Sequence, residues 1–182
     1  MADTKTYLEQ YDDGNPIDNL ITEEQLEQLM PLVGTILAKF NALETDLDRQ
    51  IAEAINGRAH QPGYTITAEM SAVFAKKVSV FKALLGIAVS SLDNDALSAE
   101  FEPLWKSLYA VKDIRNDIAH ADWLNGVSDY RIRIKISSDE KGPYAITRVM
   151  TPDYLEAQIE SLDKASEKLE KFEESFSNAL SV

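Results

Sequence analysis

The 182-residue chain contains no cysteine. Disulfides, thiolate metal sites and cysteine nucleophiles are excluded together, and a reducing compartment is the natural setting. Histidine is nearly as scarce, with His60 and His120 alone. Long apolar runs are missing too. The longest, Ala83 to Val89, falls far short of the ~20 residues a membrane-spanning helix needs. The opening residues Met-Ala-Asp-Thr-Lys-Thr-Tyr-Leu-Glu show no apolar signal-peptide core, so a soluble cytoplasmic protein with no membrane partner is expected. There is no internal repeat and no low-complexity tract.

Basic charge is short as well: 18 Lys and Arg stand against 31 Asp and Glu, a net charge of −13. That deficit argues against a general nucleic-acid coat protein, but its placement matters more than its total. Residues 1 to 30 carry −7, residues 151 to 182 carry −5, and the middle carries −1. A partner such as RNA can meet the nearly neutral middle, with an affinity that falls with salt if phosphates are contacted.

A hydrophobic fraction of 45% is that of an ordinary globular chain. The length fits one compact unit, or one unit with an arm. Residues 1–21 are acidic, lack a sustained period and contain Asp13-Gly14-Asn15-Pro16, which reads as a mobile or loosely docked arm tethered through Tyr7, Tyr11, Ile17 or Leu20. Residues 22–182 read as the folded body. Thr22 and Gln25 form a capping-box pattern, and Pro31 either kinks a continuous helix or starts a new one. Ile36, Phe40, Leu43, Leu47, Ile51 and Ile55 then recur at helical spacing up to Gly57. A second helix, with Thr67 as its N-cap, carries Phe74, Val78, Phe81, Leu85, Ala88 and Leu92. A third, after Asp93-Asn94-Asp95, carries Phe101, Leu104, Leu108, Val111, Ile114 and Ile118, and ends between His120 and Gly126.

The period switches from 3.6 to 2 over residues 130 to 136, Tyr-Arg-Ile-Arg-Ile-Lys-Ile, the pattern of a strand with one apolar face. A turn at Lys141-Gly142-Pro143 and a returning strand over 145 to 150 complete a hairpin at about residues 129–150. Thr151-Pro152 opens the last helix, which runs through Leu155, Ile159, Leu162, Leu169, Phe172 and Phe176. The expected fold is all-α: an antiparallel up-down four-helix bundle with one β-hairpin inserted between the third and fourth long helices.

The segment with chemical content is Ile114-Arg115-Asn116-Asp117-Ile118-Ala119-His120. His60 has no charged neighbour in register and reads as a surface residue. At ~100° per residue, Asn116 and His120 share a face, whereas Arg115 and His120 are about 140° apart and ~7.5 Å along the axis. One straight helix does not aim both at one point. They converge only if Arg115 reaches round, if the helix loosens at its end, or if a second copy of the chain completes the site.

The spacing Arg115-Asn116-x-x-x-His120, late in the third helix of a helical bundle and with Trp123 just beyond, resembles the HEPN superfamily over roughly residues 32 to 180. The resemblance implies a metal-independent endoribonuclease, built as a homodimer whose two motifs face one another across a cleft. It also connects the chain to toxin–antitoxin or phage-defence systems, with an antitoxin or nucleotidyltransferase as partner. Inactive members set the alternative: a catalytically silent helical dimer that binds a partner protein or a nucleotide.

The chemistry stands beside the resemblance. Cutting RNA without a metal or other cofactor needs one group to take the ribose 2′-hydroxyl proton, one to protonate the leaving 5′-oxygen, and positive charge on the phosphorane. Histidine suits the proton work. Arginine stays charged and can fork onto two phosphate oxygens. Asn116 can orient the imidazole or bind phosphate, and a dimer supplies two His and two Arg to one cleft. The products would be a 2′,3′-cyclic phosphate and a 5′-hydroxyl. The same residues also have plain structural readings: a histidine complementing the helix dipole, an arginine paired with a nearby Asp, a solvated asparagine. A metal reading of Asp113, Asp117 and His120 needs a second such motif, and the chain has none.

Supporting candidates are Asp117, Trp123 and Glu44, the last placed to hold His120 or Arg115 from the first helix. Arg131, Arg133 and Lys135 alternate along the hairpin strand, and Arg148 can join them from its neighbour. With Tyr130 and Tyr144 they form a candidate RNA-contact surface, or else the charged, solvated side of an edge hairpin.

Overall fold

The computed structural model describes residues 4–7, 23–56, 74–119, 122–126, 129–139 and 140–180. The expected caps Thr22 and Thr67, the arm residues Tyr11, Ile17 and Leu20, the loop carrying His60, and His120 itself lie outside the described residues. The chain is predominantly helical, with an antiparallel sheet. Its elements are β1 (Thr4–Tyr7), α1 (Glu23–Asn56), α2 (Phe74–Ser91), α3 (Asp95–Ala110), α4 (Ile114–Ala119), β2 (Asp122–Gly126), β3 (Asp129–Asp139), β4 (Gly142–Val149) and α5 (Pro152–Leu180). No helix among the described residues is long and apolar enough to cross a membrane. Two compact units divide the chain: a sheet unit of Met1–Leu37 with Asp113–Ile159, and a helical unit of Ala38–Lys112 with Glu160–Val182.

In the sheet unit the strand order is β1-β4-β3-β2, with every neighbouring pair antiparallel. The hairpin expected from the period-2 pattern is β3 with β4, and β1 and β2 extend it to four strands. The turn is tight: Asp139 Oδ1 accepts the Lys141 N–H at 2.8 Å, and Gly142 takes φ 111°, a conformation that a side chain would strain. Part of the N-terminal segment expected to be a mobile or loosely docked arm is thus an edge strand. Lys5 pairs with Asp139, the Tyr7 hydroxyl donates to the same carboxylate at 2.9 Å, and Tyr7 meets Tyr144 edge-on. Among the described residues, the buried apolar side chains of this unit are Leu29, Val33 and Ile36 of α1, Ile114 and Ile118 of α4, with Ala145, Met150 and Leu155.

A bulge between Arg133 and Lys135 shifts the β3–β4 register by one residue. Residues directly opposite in an antiparallel ladder share a face, and an inserted residue reverses which face follows. Ile132 stands opposite Arg148, but Ile136, beyond the bulge, stands opposite Ala145. Ile136 is 53% exposed and not buried on the expected apolar face, although its register partner Ala145 is 1% exposed.

Pro31 does not interrupt α1, which runs continuously for 34 residues. The proline is exposed, so the carbonyl it leaves without an amide partner can be hydrated. Buried Leu29 and Val33 keep the apolar stripe in phase on either side of it.

In the helical unit, the 38–56 part of α1 packs with α2, α3 and the 160–180 part of α5 through the phenylalanines. Phe40 meets Phe74 with ring centroids 4.7 Å apart, and Phe81, Phe101, Phe172 and Phe176 form a continuous aromatic row. The contact pairs set helix directions. Lys39 bonds Asp163 and Arg49 bonds Glu173, so residue numbers rise together and α1 and α5 run in the same sense. Phe40 against Phe74 and Asp48 against Lys77 do the same for α1 and α2. By contrast, Lys82 lies over Trp105 while Gly86 adjoins Phe101, so α2 and α3 run in opposite senses. The expected up-down alternation therefore fails at its first connection, because the long segment between α1 and α2 allows a return that a short turn would forbid. Between α2 and α3 the turn is short, and Asn94 caps α3 by accepting the Leu97 N–H at 3.1 Å.

The third helix of the sequence pattern is two helices. After Ala110 the backbone tightens: the Val111 N–H reaches Ser107 O at 3.3 Å and the Lys112 N–H reaches Tyr109 O at 3.5 Å. Helix α4 then restarts, with the Asp117 N–H on Asp113 O at 2.9 Å. No proline or glycine marks this break, and the buried Val111 and Ile114 keep the apolar spacing intact across it.

Candidate functional site

The candidate residues Arg115, Asn116 and Asp117 occupy α4, a helix of six residues whose orientation is set by two isoleucines. Ile114 and Ile118 are buried on one side. Asp117, three residues after Ile114, flanks that buried side, and Arg115 and Asn116 are turned to solvent. The Arg115 guanidinium donates to Asn116 Oδ1 at 3.3 Å. The two polar members of the motif are thus joined, while the third, His120, lies just past the end of α4 and outside the described residues.

Asp117 has a structural partner. Its carboxylate accepts from Arg148 Nη1, the same nitrogen that reaches the Tyr154 hydroxyl at 3.4 Å. Both ionised side chains are largely buried, with 19% of Arg148 and 24% of Asp117 exposed. A half-buried, charge-assisted bond of this kind fastens α4 to β4 and to the first turn of α5. Tyr154 is itself placed by the cap of that helix, where its N–H donates to Thr151 Oγ1 at 3.1 Å.

Of the three arginines whose side chains are described, Arg148 is held by Asp117 and Arg49 by Glu173. Arg115 alone has no carboxylate partner among the described residues, its one bond being to neutral Asn116. An exposed guanidinium without a counter-charge is free to take an anionic oxygen.

The hairpin residues do not form the expected stripe. Arg131 and Arg133 stand opposite Val149 and Thr147, whereas Arg148 stands opposite Ile132. Arg148 therefore takes a register position of the other face and points its charge at Asp117 instead of joining them. Lys135, beyond the bulge, stands opposite Ile146 and does not continue the alternation of Arg131 and Arg133. Trp123 lies in β2, opposite Ile132.

Glu44 is engaged elsewhere. It bonds Lys77 at 2.9 Å, and Asp48 bonds the same ammonium at 2.7 Å. Lys77 is 2% exposed. Burial draws its pKa down, but the bonds to Asp48 and Glu44 outweigh that and leave it raised. For Asp48 burial dominates over the Lys77 bond, and its carboxyl is raised. Sequence reading missed this charged trio. Its signal was a lysine three residues after Phe74, on the buried side of α2, facing two acids spaced four apart on α1.

Tyr154 and the Lys5 contacts were missed as well. Lys5 Nζ lies 3.7 Å from the Tyr144 ring centroid and 4.8 Å from that of Tyr7. Its bond to Asp139 raises the lysine and lowers the carboxyl to about 2. No group of three or more His, Asp or Glu among the described residues could hold a metal ion. Compared with protein-family models, with curated proteins and with solved structures, the chain matches none.

Proposed function

We propose that the chain is a metal-independent endoribonuclease of HEPN type, with a helical bundle that dimerises to bring two copies of Arg115, Asn116 and His120 to one cleft. The observation that carries the reading is the state of α4. Arg115 is exposed and has no carboxylate partner among the described residues, Asn116 is bonded to it, and Asp117 is spent on Arg148 in holding the helix in place. A structural role for Arg115 would call for the acidic partner that Arg49 and Arg148 both have.

In this reading His120 of one copy removes the proton from the 2′-hydroxyl, the 2′-oxygen attacks phosphorus, and the 5′-oxygen leaves with a proton from the second copy's imidazole. Arg115 binds the non-bridging oxygens and stabilises their growing charge. One copy has one imidazole at this place, and acid and base work in a single turnover needs two. That is the chemical reason for the dimer. An antitoxin or nucleotidyltransferase partner would cover the same cleft.

The test is cleavage of an unstructured RNA by the purified chain in EDTA. Activity that leaves 2′,3′-cyclic phosphate ends, is lost in His120→Ala and falls about 100-fold or more in Arg115→Ala is the expected result. A folded, dimeric chain that cuts no RNA would exclude the enzyme. Activity abolished by EDTA and restored by a divalent cation would replace it with a metal mechanism. A monomer by solution mass at micromolar concentration would remove the composite cleft.

A further inference from the structure

Helices α1, α2 and α5 run in the same sense in the helical unit, so their C-terminal ends lie together. A cavity of about 690 Å³ opens there, within the size range of small-molecule sites. Each helix contributes to it from its last turn: Ala54 from α1, Ala88 from α2, Ser177 from α5. The floor is apolar, made by Leu84, Leu85, Phe176 and the exposed Leu180. Glu53 and Glu173 are the charged residues of the wall.

Three features give this cavity a sign. First, the aligned backbone dipoles of a helix place roughly half a negative charge at its C-terminus, and parallel helices add these ends instead of cancelling them. Second, none of the three has a basic residue in its last turn to offset that charge. Third, Glu53 and Glu173 share one guanidinium, Arg49, which bonds Glu173 Oε2 at 2.9 Å and reaches Glu53 Oε1 at 3.5 Å. The Arg49 bond holds Glu173 below the usual carboxylate range, so it is ionised at neutral pH. Two carboxylates against one guanidinium leave an excess negative charge beside an apolar floor.

From this we infer that the cleft at the joined C-termini of α1, α2 and α5 binds an organic cation with an apolar body, such as an aliphatic amine. The chain or ring lies on Leu84, Leu85 and Phe176, and the ammonium faces Glu53 and the helix ends. Gln50 adds a finer feature. It is 5% exposed, lines the same cleft and supports the Glu173 carboxylate with its side-chain amide. This inference is independent of the reading of α4.

Isothermal titration of the full chain with octylammonium, octanol and octanoate separates charge from chain length. Octylammonium is expected to bind one site at least about tenfold more tightly than octanol, with octanoate weakest. Glu53→Gln should bring octylammonium toward octanol, and Ala88→Phe, which fills the cavity, should remove binding with the circular dichroism spectrum retained. Leu180→Arg, at an exposed rim position, is the second variant if Ala88→Phe does not fold, and it should also remove binding. Octanol or octanoate binding as tightly as octylammonium would overturn the inference, as would octylammonium binding unchanged in the cavity variants. A dimer that Leu180→Arg dissociates, in a chain that takes no octylammonium, would assign the cleft to a second copy and overturn it as well.

Discussion

The two units are held together by different chemistry. All six phenylalanines of the chain lie in the helical unit, whereas five of the seven tyrosines lie in the sheet unit. Phenylalanine has only packing to offer, and it forms the continuous row from Phe81 to Phe176. Tyrosine adds a hydroxyl, and in the sheet unit Tyr7 and Tyr154 use theirs on Asp139 and Arg148. One unit thus rests on close-packed rings. Among the described residues, the other combines buried Leu, Val, Ile, Ala and Met with polar ties, and it is the one that carries the candidate site. Ties of that kind leave α4 positioned but its outer face, with Arg115 and Asn116, solvated.

The contrast can be broken most strongly at its packed side. Phe172→Ala removes the ring that meets Phe81, Phe101 and Phe176 and should cost about 3–5 kcal/mol in urea unfolding; a loss below about 1 kcal/mol would show that the aromatic row is not what holds the helices. Next is the buried lysine of that unit. Lys77→Met strands Glu44 and Asp48 and should cost about 3 kcal/mol, with much of it regained when Asp48→Leu is added. The pH dependence sharpens this. Asp48 is raised from its ordinary 3.8 by burial, so the folded state holds its proton more tightly than the unfolded chain does. Its contribution to stability therefore falls as pH rises above 3.8, and Asp48→Asn should flatten that part of the profile.

On the polar side the effects are smaller. Arg148→Met releases α4 from β4 and should cost about 1–2 kcal/mol, with a loss of RNA cleavage at temperatures where the chain is still folded. Cleavage equal to wild type would mean that the Asp117 tie does not position Arg115. The smallest effect belongs to the surface clasp of Lys5 and Asp139. Asp139 is lowered from 3.8 to about 2, so the stabilisation of β1 is complete above 3.8 and is lost as pH falls through about 2. Amide exchange at Lys5 and Tyr7 should rise over that window. Asp139→Asn should raise it already at neutral pH, and unchanged exchange there would leave backbone pairing as the sole hold on the strand.

Local chemistry determined a good deal. The stripes through Phe40, Leu43 and Leu47, through Phe74, Val78 and Phe81, and through Leu162, Leu169 and Phe172 are buried as their spacing requires. Thr151 caps α5 and a tight turn joins β3 to β4, since caps and turns depend on residues within a few positions of one another. The features that periodicity could not contain are those where it is preserved while the backbone changes. The break at Val111 keeps the apolar spacing, so one long third helix and the pair α3 and α4 have the same pattern. The bulge after Arg133 costs one residue in a run that still alternates, yet it moves Ile136 and Lys135 out of the expected stripe.

Charge partners were the other unreadable part. Glu44 and Asp117 both stood near the motif in the sequence argument, and each is instead bound to a cation far along the chain, Lys77 and Arg148. Only the tertiary structure decided this, because an ion pair between distant residues depends on helix direction and strand register, and neither is encoded in local spacing. The amino-acid sequence by itself determined that the chain is mostly amphipathic helix with one hairpin, that it has no thiol chemistry, and that its Arg-Asn pair lies on a solvent-facing helical turn. Packing decided that α1, α2 and α5 run parallel, which gathers three helix ends of one sign at a cavity. It also left Arg115 without a carboxylate partner among the described residues while Arg49 and Arg148 each found one.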